Sequence, residues 1–149
     1  MSFEECVKFA NEVGTCFLAT VEGNQPRVRP MGMCFADETG FYLQSEAVKS
    51  LTKQLKNNPK AELVFWEPKG AEGPGAYLRV SGEVRFINDS AIRERIFKER
   101  SGLLKGLGIE SAEDPEMVVF QLFTGEAFFW SMESNTKESE IQRKNFKTM

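Results

Sequence analysis

The 149-residue chain is long enough for one domain with a real core, and 41% hydrophobic with 28% charged residues sets aside disordered and fibrous classes. A net charge of -3 argues against a nucleic-acid partner, because phosphate neutralisation requires a basic surface. Histidine is absent, which excludes a His-ligated haem, a His-bearing zinc site and any triad with a His base, so chemistry here would rest on a cofactor.

The first predicted element is a helix, with Phe3, Val7, Ala10 and Val13 at helical spacing. Ser2 and Glu5 form its capping box and Gly14 ends it. Thr15 to Val21 alternates around Cys16, Leu18 and Thr20 and reads as a strand, and Glu22 to Gln25 turns the chain into a second strand over Arg27 to Ala36. Pro30 and Gly32 inside that strand imply an edge, a bulge or the close approach of another group. A third strand spans Phe41 to Gln44, and Ser45 is read as the N-cap of a helix with the stripe Val48, Leu51, Leu55, stopped at Asn57-Asn58-Pro59.

Ala61 to Trp66 is a short strand, residues 68 to 75 a Pro/Gly-rich loop, and Ala76 to Ile87 an alternating strand bent at Gly82. A helix follows from Ser90 to Arg100, then broken helical turns to Asp114, then a long strand from Met117 to Met132 interrupted at Gly125. The expected architecture is mainly β: a six-stranded antiparallel split barrel with peripheral helices over residues 1–132, and a polar, mobile tail over 133–149. Thirteen Phe require either a sizeable interior or a subunit interface to bury them. The three cysteines, Cys6, Cys16 and Cys34, read as buried small hydrophobes in a reducing compartment. With no secretory leader or membrane-length apolar stretch, a cytoplasmic location is expected.

Alternation places Arg27 and Arg29 on one side of their strand, where they can serve one anion together. The hydroxyl of Ser45 and the following helix start add other groups that favour a dianion.

Several segments, in order, carry a family resemblance: Leu18-Ala19-Thr20, Gln25-Pro26-Arg27-Val28-Arg29-Pro30, Phe41-Tyr42-Leu43, the run Lys53 to Leu63, and Leu78-Arg79-Val80-Ser81-Gly82-Glu83-Val84. Together they resemble the FMN-binding split barrel of the pyridoxamine 5'-phosphate oxidase-like family. The resemblance implies a homodimer with one FMN in each of two clefts between protomers. It implies that Arg27 or Arg29 pairs with the phosphate and that the backbone from Pro30 through Met31 to Met33 runs along the flavin ring. Gln44 and Ser45 would touch ribityl or phosphate oxygens, Lys49, Ser50 or Lys53 would close the phosphate site, and Trp130 would cover the flavin of the partner subunit. Relatives place a lysine immediately ahead of the helix where this chain has Ser50 or Leu51, with Lys49 as a substitute from one turn away.

The resemblance favours the nitroimidazole-reductase-like branch, because the basic and His residues that hold substrate phosphate in the true oxidases are missing from the sequence. The implied function is a flavin-dependent oxidoreductase acting on a small molecule, with NAD(P)H as electron donor. The alternative is a non-enzymatic carrier of flavin or another cofactor. No catalytic acid or base, metal, nucleic acid or membrane is implied.

Overall fold

The computed structural model describes residues 2–68 and 75–149. The predicted 68–75 loop therefore lies largely outside the described residues. Helix α1 (Phe3–Val13) carries the predicted capping box: the Ser2 hydroxyl accepts from the Glu5 amide, and the Glu5 carboxylate accepts from the Ser2 amide. Cys6 and Ala10 face inward at 0% exposure, and Gly14 closes the helix with its N–H on the Ala10 carbonyl.

The strands follow as β1 (Thr15–Glu22), β2 (Gln25–Gly32), β3 (Phe35–Asp37), β4 (Gly40–Glu46), β5 (Lys60–Glu67), β6 (Ala76–Ile87), β7 (Met117–Trp130) and β8 (Lys144–Lys147). They form one antiparallel sheet in the order β2-β1-β5-β6-β7-β4-β3, with β8 also on β7. The sheet curls so that one face of β1, β4, β5, β6 and β7 meets in a single core with α1, centred on Leu18, Phe41, Leu43, Leu63, Phe65 and Leu78. Helix α2 (Ser50–Asn57) adds Leu51 and Leu55 to that core, while α3 (Ser90–Glu99) and α4 (Ser101–Gly106) close a second cluster around Phe35, Tyr42, Ile96 and Leu104. The mainly β, antiparallel expectation holds. No helix among the described residues is long and apolar enough to cross a membrane.

Five local expectations are corrected. The sheet has eight strands among the described residues rather than six. The predicted strand over Arg27 to Ala36 breaks at Met33-Cys34, because Met33 donates to the Gly14 carbonyl (2.8 Å) and Cys34 to the Tyr42 carbonyl (2.9 Å), so the chain changes partners at a corner. Ser45 does not cap a helix: it pairs with Val118 inside β4, and α2 begins at Ser50 with Lys49 at its N-cap. Val48 is 72% exposed and leaves the stripe to Leu51 and Leu55. The tail is not an unstructured end. It makes 3-10 turns at Met132–Ser134 and Glu138–Glu140 and then β8, whose Phe146 stacks on Phe3 (centroids 4.8 Å apart) and meets Phe41 edge-on (5.7 Å).

Gly82 and Gly125 face each other across β6 and β7, and a Cβ on either would collide with the opposite backbone, Thr124 for Gly82 and Ser81 for Gly125. Only glycine permits that approach, and the register slips immediately after it, between Glu83 and Val84.

Candidate functional site

On β1 the inward residues Cys16, Leu18 and Thr20 are buried, and the β1–β2 register places Met31, Arg29 and Arg27 opposite them on the same face. The two arginines do share a side of the strand. Their environments differ. Arg27 is exposed and forms an ion pair with Glu22 at 2.9 Å. Arg29 is half-buried and reaches under α2, donating to the Thr20 hydroxyl (2.7 Å), the Gln54 side-chain oxygen (2.6 Å) and the Leu18 carbonyl (3.3 Å). Burial first, and the charge of Arg27 second, push the Arg29 pKa down from its ordinary value. An arginine nevertheless stays protonated, so a cation with no carboxylate partner among the described residues stands at this place.

Beside it, a cleft of about 340 Å³ lies between the β1–β2 turn and α2, lined by Val21, Glu22, Gly23, Ser50, Lys53 and Gln54 among others. The N-terminus of α2 has no side-chain cap, which leaves the first-turn amides of Ser50, Leu51 and Thr52 directed outward without an intrahelical acceptor. Lys49 is drawn to Glu46 (3.9 Å), whereas Lys53 is exposed on α2 with no ion pair among the described residues. The Lys53 ammonium and the Ser50 hydroxyl at the cleft, with the Arg29 guanidinium bound to the lining residue Gln54, are groups that hold a phosphate.

Ser45 supplies a further test of fit. It is 1% exposed, and its hydroxyl oxygen is buried without a hydrogen-bond partner. Such a group is costly unless something binds it, so it suits a ligand oxygen. Gln44 is also buried, but alternation turns it to the other face of β4, and its amide nitrogen donates to the Ser45 carbonyl (2.8 Å) and the Glu46 carboxylate (3.1 Å).

Pro30 is exposed on the outer face and Met31 is partly packed on the core. The Pro30 to Met33 segment is braced by Arg100, at the junction of α3 and α4, which donates to the Gly32 carbonyl and to the Cys34 sulfur, both at 3.3 Å. Trp130 belongs elsewhere in the chain. Its ring lies tilted at 45° against Tyr77 (centroids 4.8 Å apart) in an apolar patch on the outer sheet face with Phe17, Val64 and Trp66, and its ring N–H donates to Glu138. Thus Ser50 and Lys53 line one cleft and Arg29 is bound to its lining residue Gln54, whereas Lys49 turns to Glu46 and Arg27 and Trp130 do not join them within one chain.

Sequence reasoning passed over Thr20 and Gln54. The signal was a polar side chain on each buried stripe: Thr20 in line with Cys16 and Leu18, and Gln54 between Leu51 and Leu55. A larger cleft of about 530 Å³, between Lys56, Phe86, Ser90 and Met117, contains none of the predicted residues. Its Arg93 donates to the carbonyls of Ala112, Asp114 and Met117 and, like Arg29, has no carboxylate partner among the described residues.

No curated protein matches the chain. Among solved structures, a NimC/NimA family protein from Clostridium acetobutylicum is 28% identical with a TM-score of 0.76, covering 98% of this chain and 95% of its own. General stress protein 26 from Bacillus anthracis shares the fold at 18% identity and TM-score 0.71, over 98% of this chain and 100% of its own. A protein from Mesorhizobium loti described as FAD-binding does so at 19% and 0.67, over 88% and 96%. The family profile described as pyridoxamine 5'-phosphate oxidase matches residues 2–131, and the chain therefore belongs to the pyridoxamine 5'-phosphate oxidase-like family.

Proposed function

We propose that the chain is a homodimeric FMN-binding flavoprotein, an oxidoreductase that takes electrons from a nicotinamide and delivers them to a small or planar acceptor. The observation that carries this reading is the half-buried guanidinium of Arg29, held only by neutral partners beside the uncapped N-terminus of α2. When bound, the flavin supplies the hydride chemistry; the protein supplies binding and orientation. Arg29, Lys53 and the amides that open α2 hold the phosphate, Ser50 adds a hydroxyl, and the Ser45 hydroxyl finds in a ribityl or phosphate oxygen the partner it lacks. The braced backbone from Pro30 to Met33 supports one face of the ring and excludes water there.

The second copy is proposed to dock on the outer face of β1, β5, β6 and β7. Phe17 (41% exposed) and Trp66 (42%) join Val64, Tyr77 and Trp130 there in an apolar patch of the kind that marks an interface. Membership of the family and the FAD-binding description of a structural relative support a flavin ligand. The test is a visible spectrum of the protein after FMN addition and gel filtration. Flavin bands co-eluting with a dimer, followed by NADH or NADPH oxidation in the presence of an artificial quinone, are the expected result. A colourless monomer would refute both the ligand and the shared cleft.

A further inference from the structure

Four of the eight arginines are matched with carboxylates: Arg27 with Glu22, Arg79 with Glu62, Arg95 with Glu99 and Arg143 with Glu126. Arg29, more enclosed than Arg27 and only two residues away, receives instead an amide, a hydroxyl and a carbonyl. The amide belongs to Gln54, 5% exposed, which α2 locks between the buried Leu51 and Leu55. Its side-chain oxygen accepts from both Arg29 (2.6 Å) and Thr20 (2.6 Å), and the Thr20 hydroxyl in turn accepts from Arg29 (2.7 Å). The three side chains close a ring of hydrogen bonds in which the only charge is that of the guanidinium.

A glutamate at position 54 would fill the same space and offer the same oxygen. It would also cancel the charge, because a carboxylate at that distance forms a charge-assisted pair in a poorly solvated place. Resting on the flavin reading above, we propose that Gln54, seconded by Thr20, is a charge-neutral clamp that fixes Arg29 without neutralising it. The clamp makes the cleft specific for a flavin carrying a phosphomonoester dianion over uncharged riboflavin. Gln54 is a positioning residue in this scheme, acting on the ligand through Arg29. The fallen pKa of Arg29 accords with a cation kept without a counter-ion.

The experiment measures flavin-fluorescence quenching by FMN and by riboflavin for the wild-type chain, Gln54→Glu and Gln54→Met, alongside melting temperatures with and without millimolar inorganic phosphate. Gln54→Glu is expected to weaken FMN about tenfold or more while leaving riboflavin within about twofold, so that the FMN-to-riboflavin preference collapses. Gln54→Met, which keeps the charge and removes the clamp, is expected to lower that preference by a smaller factor, about threefold to tenfold. A preference unchanged in either variant overturns the proposal while the flavin reading stands. If the wild-type chain quenches neither flavin, the flavin reading fails by itself. A phosphate-induced rise in melting temperature that Gln54→Glu loses then still supports the clamp, and one that is absent or equal in both proteins overturns it.

Discussion

Replacing Phe146 with alanine tests how firmly the last strand belongs to the barrel. The ring is partly buried against the main core, stacked on Phe3 at 4.8 Å and edge-on to Phe41 at 5.7 Å. A fully buried Phe→Ala change costs about 3–5 kcal/mol. Partial exposure reduces the transfer share, while the lost ring pairs add about 0.5–1.5 kcal/mol, so a destabilisation of about 2–3 kcal/mol is expected. The β8 backbone remains paired through Thr124↔Lys147 to Ala127↔Lys144, with Thr148 donating to the Phe123 and Thr39 carbonyls, so the strand loses its anchor but keeps its ladder. Urea unfolding followed by circular dichroism measures the change, with a chain ending at Arg143 as the comparison. The truncated chain must lose at least as much as Phe146→Ala. A loss below about 0.5 kcal/mol in both, the range of an ordinary surface substitution, would refute the reasoning and return the tail to a solvated end.

Other expectations follow from the cleft and the core. Arg29→Ala should weaken FMN by about 1.5–3 kcal/mol in a quenching titration, whereas Arg27→Ala, whose partner is the exposed Glu22, should change it by less than about 0.5 kcal/mol; equal effects would contradict the assignment. Ser45→Ala should leave the melting temperature of the ligand-free protein unchanged or slightly higher, since its hydroxyl has no partner to lose, and should weaken FMN by about 1 kcal/mol; a destabilised ligand-free protein with unchanged affinity would count against it. Burial pushes the thiol of Cys16 up to about 12 and those of Cys6 and Cys34 up to about 11. The unfolded chain then releases these protons first. Their contribution to stability is present below the unfolded value near 9 and is lost as pH rises from there through the folded values. Iodoacetamide at pH 8 should accordingly leave the native thiols unmodified by mass spectrometry and label all three in urea.

What the sequence disclosed was chiefly local. The capping box of α1 is written in Ser2 and Glu5, the limits of β6 in the alternation from Ala76 to Ile87, and the hairpin in Glu22 to Gln25. The failures arose where distant partners decide. Ser45 to Val48 carries the chemistry of a helix start, yet pairing of Ser45 with Val118 and Glu46 with Met117 holds the segment in the sheet for two more residues. The corner at Met33-Cys34 exists because one amide turns to Gly14 and the next to Tyr42, which no alternation pattern reveals. In the tail, fourteen polar residues hid one anchoring ring. At the site, the basic residues and Ser45 were legible as types, but their division was not. Whether an arginine is spent on a neighbouring glutamate or left free depends on the β1–β2 register and on α2 lying across it.

The stacking of Phe3 on Phe146 also bears on how the chain is made. Synthesis delivers residues from the N-terminus onward, and the first helix waits for nearly all the others before its outer ring is covered. Closing so long a loop is slow but adds little further entropy cost per added residue, so the final contact is late rather than improbable. Until residue 146 clears the ribosome, Phe3 and Phe41 remain an open aromatic surface on the nascent chain, and chaperone capture should be strongest in that interval.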